Sequence, residues 1–332
     1  MKKIIMTMSI IFFITSFICF TYENFSIIFT SAIDTITIYN TFIPYNLIKQ
    51  YNSDNPVKKR EAESEIKKIC LDAIEYLNWQ DYLDYIDLKI YKGNVIPNKR
   101  EELIIGLNLS KDLSVVCIFI DNDQNYSFFG KIENLLPIEK IKFIEIPDKE
   151  YDFLVVYQMA DERLGGFYYE KFLEIFFYNS GVFEKKLKEI VFFEEIFKDI
   201  WIDETAPENQ WSKNMIKNNI LFIENHTLYI AVSGIKNKYT TSNSITIPKS
   251  SDFKLIYSNS YKYKYYWNKD LLEFNRKENI VTFKNIPVFI IGDSETDYKN
   301  LCNFSKNKYK LLTTSGKIIY IDKELIDSNN NN

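Results

Sequence analysis

The chain is poor in the residues that punctuate and disorder a polypeptide: its 332 residues include only 9 glycines and 8 prolines. Disordered and low-complexity chains need the opposite balance, so nearly all of it should fold, with only the polar tail 327–332 as a frayed end. Histidine occurs once, as His226. That excludes a multi-histidine metal site and leaves any serine–histidine pairing a single partner. Arginine occurs four times, at Arg60, Arg100, Arg163 and Arg276. Arginine is the residue best suited to bidentate phosphate and base-edge contacts, and its scarcity beside a net charge of -4 speaks against a nucleic-acid partner. The excess of Lys, Asn, Ile, Tyr and Phe also matches the codon usage of an AT-rich genome, which explains lysine in place of arginine. The cysteines Cys19, Cys70, Cys117 and Cys302 form no CxxC pair, so a zinc ribbon and a thioredoxin-type motif are absent. There is no P-loop and no GxGxxG, and Gly165-Gly166 stands too isolated to cradle a phosphate. Nothing in the sequence calls for a cofactor.

What is present is a core. Hydrophobic residues make up 46% and charged residues 26%, the balance of a globular protein. Aromatics reach 16%, with 24 tyrosines and 26 phenylalanines. The most specific local signal is at the N-terminus. Lys2 and Lys3 precede an uncharged apolar run, 4–22, which ends at Glu23. This is the charged-then-apolar order of a signal peptide, and about the ~20 residues that a membrane helix requires. A cleaved signal and an uncleaved anchor both fit. Thr30-Ser31-Ala32 offers small residues for cleavage but lies far from the apolar run, and Ile18 before Cys19 makes a poor lipoprotein site. Either way the two lysines stay inside and the bulk of the chain is translocated. If the segment is removed, Cys19 goes with it, and at least one of the remaining three thiols is free.

Residues 1–32 therefore read as signal or anchor, and 33–54 as a stalk or edge segment. Asn55 is a good N-cap and Pro56 a good first helical residue. Ala62, Ile66, Ile69, Cys70, Ala73, Ile74 and Leu77 then recur at steps of three and four, the stripe of an amphipathic helix. From residue 101 the period changes to two, with β-branched and aromatic runs at 102–109, 114–120, 126–132, 142–146, 152–159 and 167–178, divided by polar turns. The stretch 183–201 fits helix and strand equally. The polar stretch 203–214, with Pro207, reads as a linker between a helix-plus-sheet domain, 55–202, and a second β-rich unit, 215–326. Its strands are expected at 220–225, 227–232, 253–259, 261–267, 280–283 and 287–291. The fold class expected is α+β: one N-terminal amphipathic helix packed on a mainly antiparallel sheet, then the second β-rich unit.

Four patterns could carry chemistry. In the first, 288–297, a strand ends in Gly292-Asp293-Ser294, which resembles the nucleophile block of GDSL hydrolases. That resemblance implies an esterase-like site using Ser294, with His226 as the only available base. The block stands near the C-terminus rather than the start, no histidine follows it, and Glu295 occupies an apolar position of the family pattern. A strand followed by a polar turn explains the same residues. Second, Asp121, Asp123 and Asn125 place oxygen ligands at alternate positions, like a calcium loop. Tyr126 stands where its glycine would be and Ile132 where its bidentate glutamate would be, so a hairpin turn is the simpler reading. Third, Tyr261, Tyr263 and Tyr265 alternate with lysines and lead to Trp267. On a strand they share one face, either as core or as an aromatic surface for a ligand. Fourth, Glu194-Glu195 could form an acid–base pair, but nothing singles them out among 45 acidic residues.

The N-terminal segment, the composition and the helix-then-strands order together resemble the uncharacterised exported or membrane-anchored proteins of AT-rich Gram-positive bacteria. The resemblance implies no activity. The functional expectation is a non-enzymatic extracytoplasmic binding or structural protein of the cell envelope. It would meet the membrane through its N-terminal segment if uncleaved, and it would bind a protein or envelope polymer. A serine hydrolase using Ser294 and His226 and a calcium-dependent β-module are the alternatives.

Overall fold

The computed structural model describes residues 41–164, 167–224, 228–241, 245–276, 281–284, 286–293, 308–315 and 317–327. Its strands are β1 (Phe42–Pro44), β2 (Asp87–Gly93), β3 (Glu102–Asn108), β4 (Ser114–Asp121), β5 (Asn125–Leu135), β6 (Ile138–Glu145), β7 (Asp152–Asp161), β8 (Tyr168–Asn179) and β9 (Val182–Lys198). They continue with β10 (Trp211–Glu224), β11 (Leu228–Thr241), β12 (Lys254–Asn268), β13 (Glu273–Asn275), β14 (Val281–Phe283), β15 (Ile286–Asp293), β16 (Lys308–Thr313) and β17 (Ile318–Asp322). They form three sheets: five strands in the order β1-β5-β4-β3-β2, eight in the order β13 to β6, and four in the order β14 to β17.

The α+β expectation is thereby corrected: 58% of the described residues are strand and 17% helix, so this is a mostly-β protein of three sheets. Among the described residues helix lies mainly at Tyr45–Tyr51, Pro56–Ala73 and the 3-10 stretch Leu77–Tyr85, whereas the ambiguous stretch, 183–201, becomes the long strand β9 followed by a 3-10 turn over Asp199–Trp201. The interval 199–210, a 3-10 turn and a loop, joins β9 to β10, and the two strands pair in one sheet from Trp211–Lys198 to Lys217–Phe192; Trp211 to Asn214 open β10 and are all buried. The runs 253–259 and 261–267 are one strand, β12, because its ladder with β11 continues across Ser260.

The helix Pro56–Ala73 follows from its ends and its stripe. The Asn55 side chain accepts the N–H groups of Val57 and Lys58 at 3.0 and 3.2 Å, and proline takes the first turn. At the other end Tyr76 N–H returns to Leu71 C=O at 2.9 Å and Glu75 N–H to Asp72 C=O at 3.2 Å, the paired bonds of a Schellman stop. The residue in left-handed conformation there is Glu75, φ 64, not glycine. Glycine scarcity recurs at the other turns: Lys99, Asp123, Asn134, Asp148 and Ser180 also take positive φ, at a cost an L side chain normally avoids.

The apolar stripe of this helix, Ile66, Cys70, Leu71 and Ile74, is buried in one cluster with Leu103, Ile105, Val115, Cys117 and Phe119 of the five-stranded sheet. The other face of that sheet, Ile104, Val116, Ile118, Ile132 and Leu135, is buried against Ile138, Ile141, Leu154, Val156 and Phe176 of the eight-stranded sheet. With both faces covered, β3 and β4 read as continuous apolar runs rather than alternating ones. Each such Val, Ile or Leu contributes about 1.5–3 kcal/mol on burial.

The eight-stranded sheet curls. In a flat sheet β9 and β12 would lie three strand spacings, roughly 14 Å, apart. Instead Glu189 of β9 is bonded by tyrosines of β12, and Lys186 of β9 reaches Glu273 of β13 at 3.1 Å. Phe153 of β7 meets Trp267 of β12 and Phe274 of β13 with ring centroids 4.8 and 5.5 Å apart. The last strands thus fold back over β7–β9 and enclose a core of Phe153, Leu173, Ile175, Phe177, Ile230, Val232 and Phe274. The four-stranded sheet joins at β13, where Arg276 N–H bonds Ile290 C=O at 2.7 Å and Ile290 N–H bonds the Asn275 side chain at 2.8 Å.

Candidate functional site

Curling brings the polar residues of β9, β10 and β12 into one network around Glu189, which is almost wholly buried. One carboxylate oxygen accepts the Tyr263 hydroxyl at 2.9 Å, the Ile190 N–H at 3.2 Å and the Asn218 amide at 3.3 Å. The other accepts the Tyr265 hydroxyl at 2.9 Å. Arg276 lies with its guanidinium carbon 3.5 Å from the Tyr263 ring centroid and donates to the Tyr265 hydroxyl at 3.2 Å. Burial pushes the Glu189 carboxyl up, while the Arg276 charge and the tyrosine hydroxyls pull against it. Burial and the neighbouring Glu189 charge raise Tyr263 and Tyr265, and push Tyr261 up to about 12, so all three stay protonated donors.

Strand register explains the geometry. Asn218, Gly234 and Tyr261 are cross-strand partners on β10, β11 and β12. The Tyr261 ring lies across Gly234 and its hydroxyl bonds Asn218 Oδ1 at 2.6 Å. A Cβ on Gly234 would stand 1.9 Å from that oxygen and 2.7 Å from the ring, so glycine is required here by close approach. Tyr261 and Tyr263 stack with centroids 5.8 Å apart and planes 7° apart, and Tyr265 meets Tyr263 edge-on. Tyr265 is buried and Tyr261 and Tyr263 half-buried, while Lys262 and Lys264 between them are exposed. The aromatic stripe therefore faces inward, and Trp267 belongs to the core cluster. With hydroxyl donors from β12 on both oxygens, Glu189 ties β9 to β12.

The opposite face of the same strands is open. Lys217, Asn219, Ser233, Ile235, Ser260 and Lys262 surround a depression of about 630 Å³, floored by the row Asn218–Gly234–Tyr261. By the two-residue period these six side chains point away from the tyrosine ladder.

The other candidates fall elsewhere. Asp293 ends β15 opposite Tyr309, while Ser294 and His226 lie outside the described residues. Asp121, Asp123 and Asn125 form the turn between β4 and β5, closed by Asn122 N–H to Asn125 C=O at 2.9 Å. The cation at this turn is Arg100, which pairs with Asp123 at 3.0 Å and donates to the Asp121 carbonyl at 3.0 Å. Burial works to raise Asp121, but the Tyr45 hydroxyl, the Asp123 N–H and the Arg100 charge outweigh it and hold the carboxyl below its usual range. Among the described residues no group of three or more acidic, histidine or cysteine side chains converges to hold a metal ion. Glu195 accepts from Asn214 at 2.8 Å and Glu194 faces Lys213 at 3.9 Å, so the acidic pair is engaged with β10.

No local pattern singles out Glu189, Asn218 or Gly234, whereas Arg276 stands out as one of four arginines. Compared with known proteins, the chain matches no family model, and no curated protein or solved structure is significantly similar to it.

Proposed function

We propose that the chain is a non-enzymatic binding protein that works outside the cytoplasm and presents the outer face of β10–β12 to a component of the cell envelope. The observation that carries this reading is the depression on that face, a concave site lined by side chains that hydrogen-bond rather than react: Asn219, Ser233, Ser260 and two lysines. The buried carboxylate on the inner face supports it, because Glu189, bonded by two tyrosines of β12, holds the curvature of the sheet beneath the depression. The extracytoplasmic placement is supported by Lys2-Lys3 and the apolar run 4–22, acting as a signal or an anchor. Among the described residues no helix is long and apolar enough to cross a membrane, and 1–40 lie outside them.

The test is protease treatment of intact cells expressing the full chain. Digestion of the region beyond residue 41, or its recovery in the medium, is the expected result. Protection until the cells are lysed would overturn the placement. Binding of envelope material that survives substitution of Ser260 and Asn219 by bulky residues would overturn the site.

A further inference from the structure

The depression belongs to a part of the chain whose charge departs sharply from the whole. The protein has 41 basic and 45 acidic residues. The consecutive strands β10, β11 and β12 contain Lys213, Lys217, Lys236, Lys238, Lys254, Lys262 and Lys264, seven cations, against one acid, Glu224. Lys217, Lys262 and Lys264 are exposed on the outer face, and none of the three is ion-paired among the described residues. Lys262 and Lys264 stand two residues apart on one strand, hence about 7 Å apart, and Lys217, two strands across and level with Ser260, lies about 12 Å from Lys262 and about 17 Å from Lys264. Ser260, Ser233 and Asn219 between them supply hydrogen-bond donors without negative charge. Lys217 and Lys262 line the depression, and Lys264 stands next to it along β12 with its ammonium 4.5 Å from the Tyr229 ring centroid. A neutral ligand gains nothing from this unbalanced positive charge, and a cation is repelled.

We propose that the ligand of this face is a linear polyanion of the envelope, a chain whose phosphodiester groups recur at intervals close to the lysine spacing. The proposal rests on the binding reading above and names the ligand class of that same site. The depression is shallow and open, and the lysines flank a run of uncharged donors along it, the layout of a chain laid across the strands; an anionic bilayer is the competing source of the same phosphodiester and is an arm of the test. Lysine acts here as a point charge on phosphate, without the base-edge reading that arginine provides. Contact with three phosphates makes affinity fall with salt, by about twentyfold between 50 and 200 mM for a single-stranded polyanion.

The experiment titrates the full chain, and its Lys217→Gln/Lys262→Gln/Lys264→Gln variant, with three probes at both salt concentrations. The probes are a soluble poly(glycerol phosphate) chain, phosphatidylglycerol vesicles carrying the same phosphodiester at a surface, and a neutral glucan. Because the three lysines are exposed, the variant is expected to melt with the parent. The expected result is binding of the soluble chain, weakened about twentyfold by salt and at least tenfold by the triple substitution. Vesicle binding without binding of the free chain overturns the proposal in favour of a membrane surface. Salt-independent binding of the glucan alone overturns the polyanion while leaving the binding protein standing. Binding of none of the three, by an extracytoplasmic chain, overturns the proposal and its site together. Phosphate-chain binding unaffected by the substitutions places the ligand elsewhere and also overturns it.

Discussion

Two buried glutamates, one in each large sheet, show how differently the protein meets the same physical problem. Glu102 opens β3 of the helix-covered five-stranded sheet and is fully inaccessible. It is held only by backbone, accepting Val95 N–H at 2.6 Å and Ile96 N–H at 3.4 Å. The Asn98 amide lies near its second oxygen without closing a hydrogen bond, so both atoms remain unsatisfied. Burial pushes this carboxyl up to about 7, more than its few donors can recover. Glu189, in the curled sheet, has hydroxyl donors on both oxygens and the Arg276 charge beside it. The first region tolerates a carboxyl by letting it protonate; the second surrounds one with donors and makes it a tie between strands that are not neighbours. An isolated buried charge relaxes by neutralising, whereas a network can keep it.

The largest expected effect removes the tie. Glu189→Ala leaves the Tyr263 and Tyr265 hydroxyls without their acceptor and removes the carboxylate beside the half-buried Arg276 charge, at a cost of about 3–5 kcal/mol. The midpoint of denaturant unfolding measures it. A loss below about 1 kcal/mol would mean that β9 and β12 are held by the apolar core alone, and the contrast between the two glutamates would collapse.

Next comes the pH dependence of the other glutamate. The folded pKa of Glu102 lies above its unfolded value of 4.5, at about 7. Its favourable contribution is therefore complete below about pH 4.5 and is lost as pH rises through about 7. The difference amounts to at most about 3 kcal/mol. Glu102→Gln should remove this part of the dependence: between pH 5 and pH 8 the parent loses stability relative to the variant. Parallel melting curves for the two proteins across that range would show that Glu102 is already ionised in the fold.

The sequence made the local structure legible and the long-range structure not. Asn55-Pro56 and the stripe from Ala62 to Ile74 specify a helix without reference to anything distant, and the strands from Glu102 to Asn179 are divided by their own polar turns. The α+β class went astray because β9, with charged residues interspersed among apolar ones, fits either period, and because the polar residues around Ser260 look like a break. Only the neighbouring strand shows that the ladder continues there. Glu189 is 74 and 76 residues from the tyrosines that hold it, and no local pattern encodes such a meeting. The tyrosine stripe was visible as a set of residues on one face; which face it took, and that Gly234 clears its path, depends on the register of β10, β11 and β12. The seven lysines were visible too, but which of them share an exposed face, Lys217, Lys262 and Lys264, depends on three strands lying side by side in one register.

The smallest expected effect sharpens the comparison at the edge of the network. Gly234→Ala places a methyl where the Tyr261 ring and Asn218 Oδ1 now stand. A ring at the end of a side chain can swing aside, so the cost is that of modest overpacking, about 1–3 kcal/mol, and not of unfolding. The swing breaks the hydrogen bond from Tyr261 to Asn218 and unstacks Tyr261 from Tyr263, while the two hydroxyls on Glu189 remain in place. Tyr261→Phe removes the same hydrogen bond and keeps the ring, so alone it should cost about 1 kcal/mol. In the double variant the two losses should fall short of their sum, since the bond lost to the methyl cannot be lost again. Strict additivity would mean that the methyl acts on the backbone of β11 rather than through Tyr261, and that Gly234 serves the strand and not the ladder.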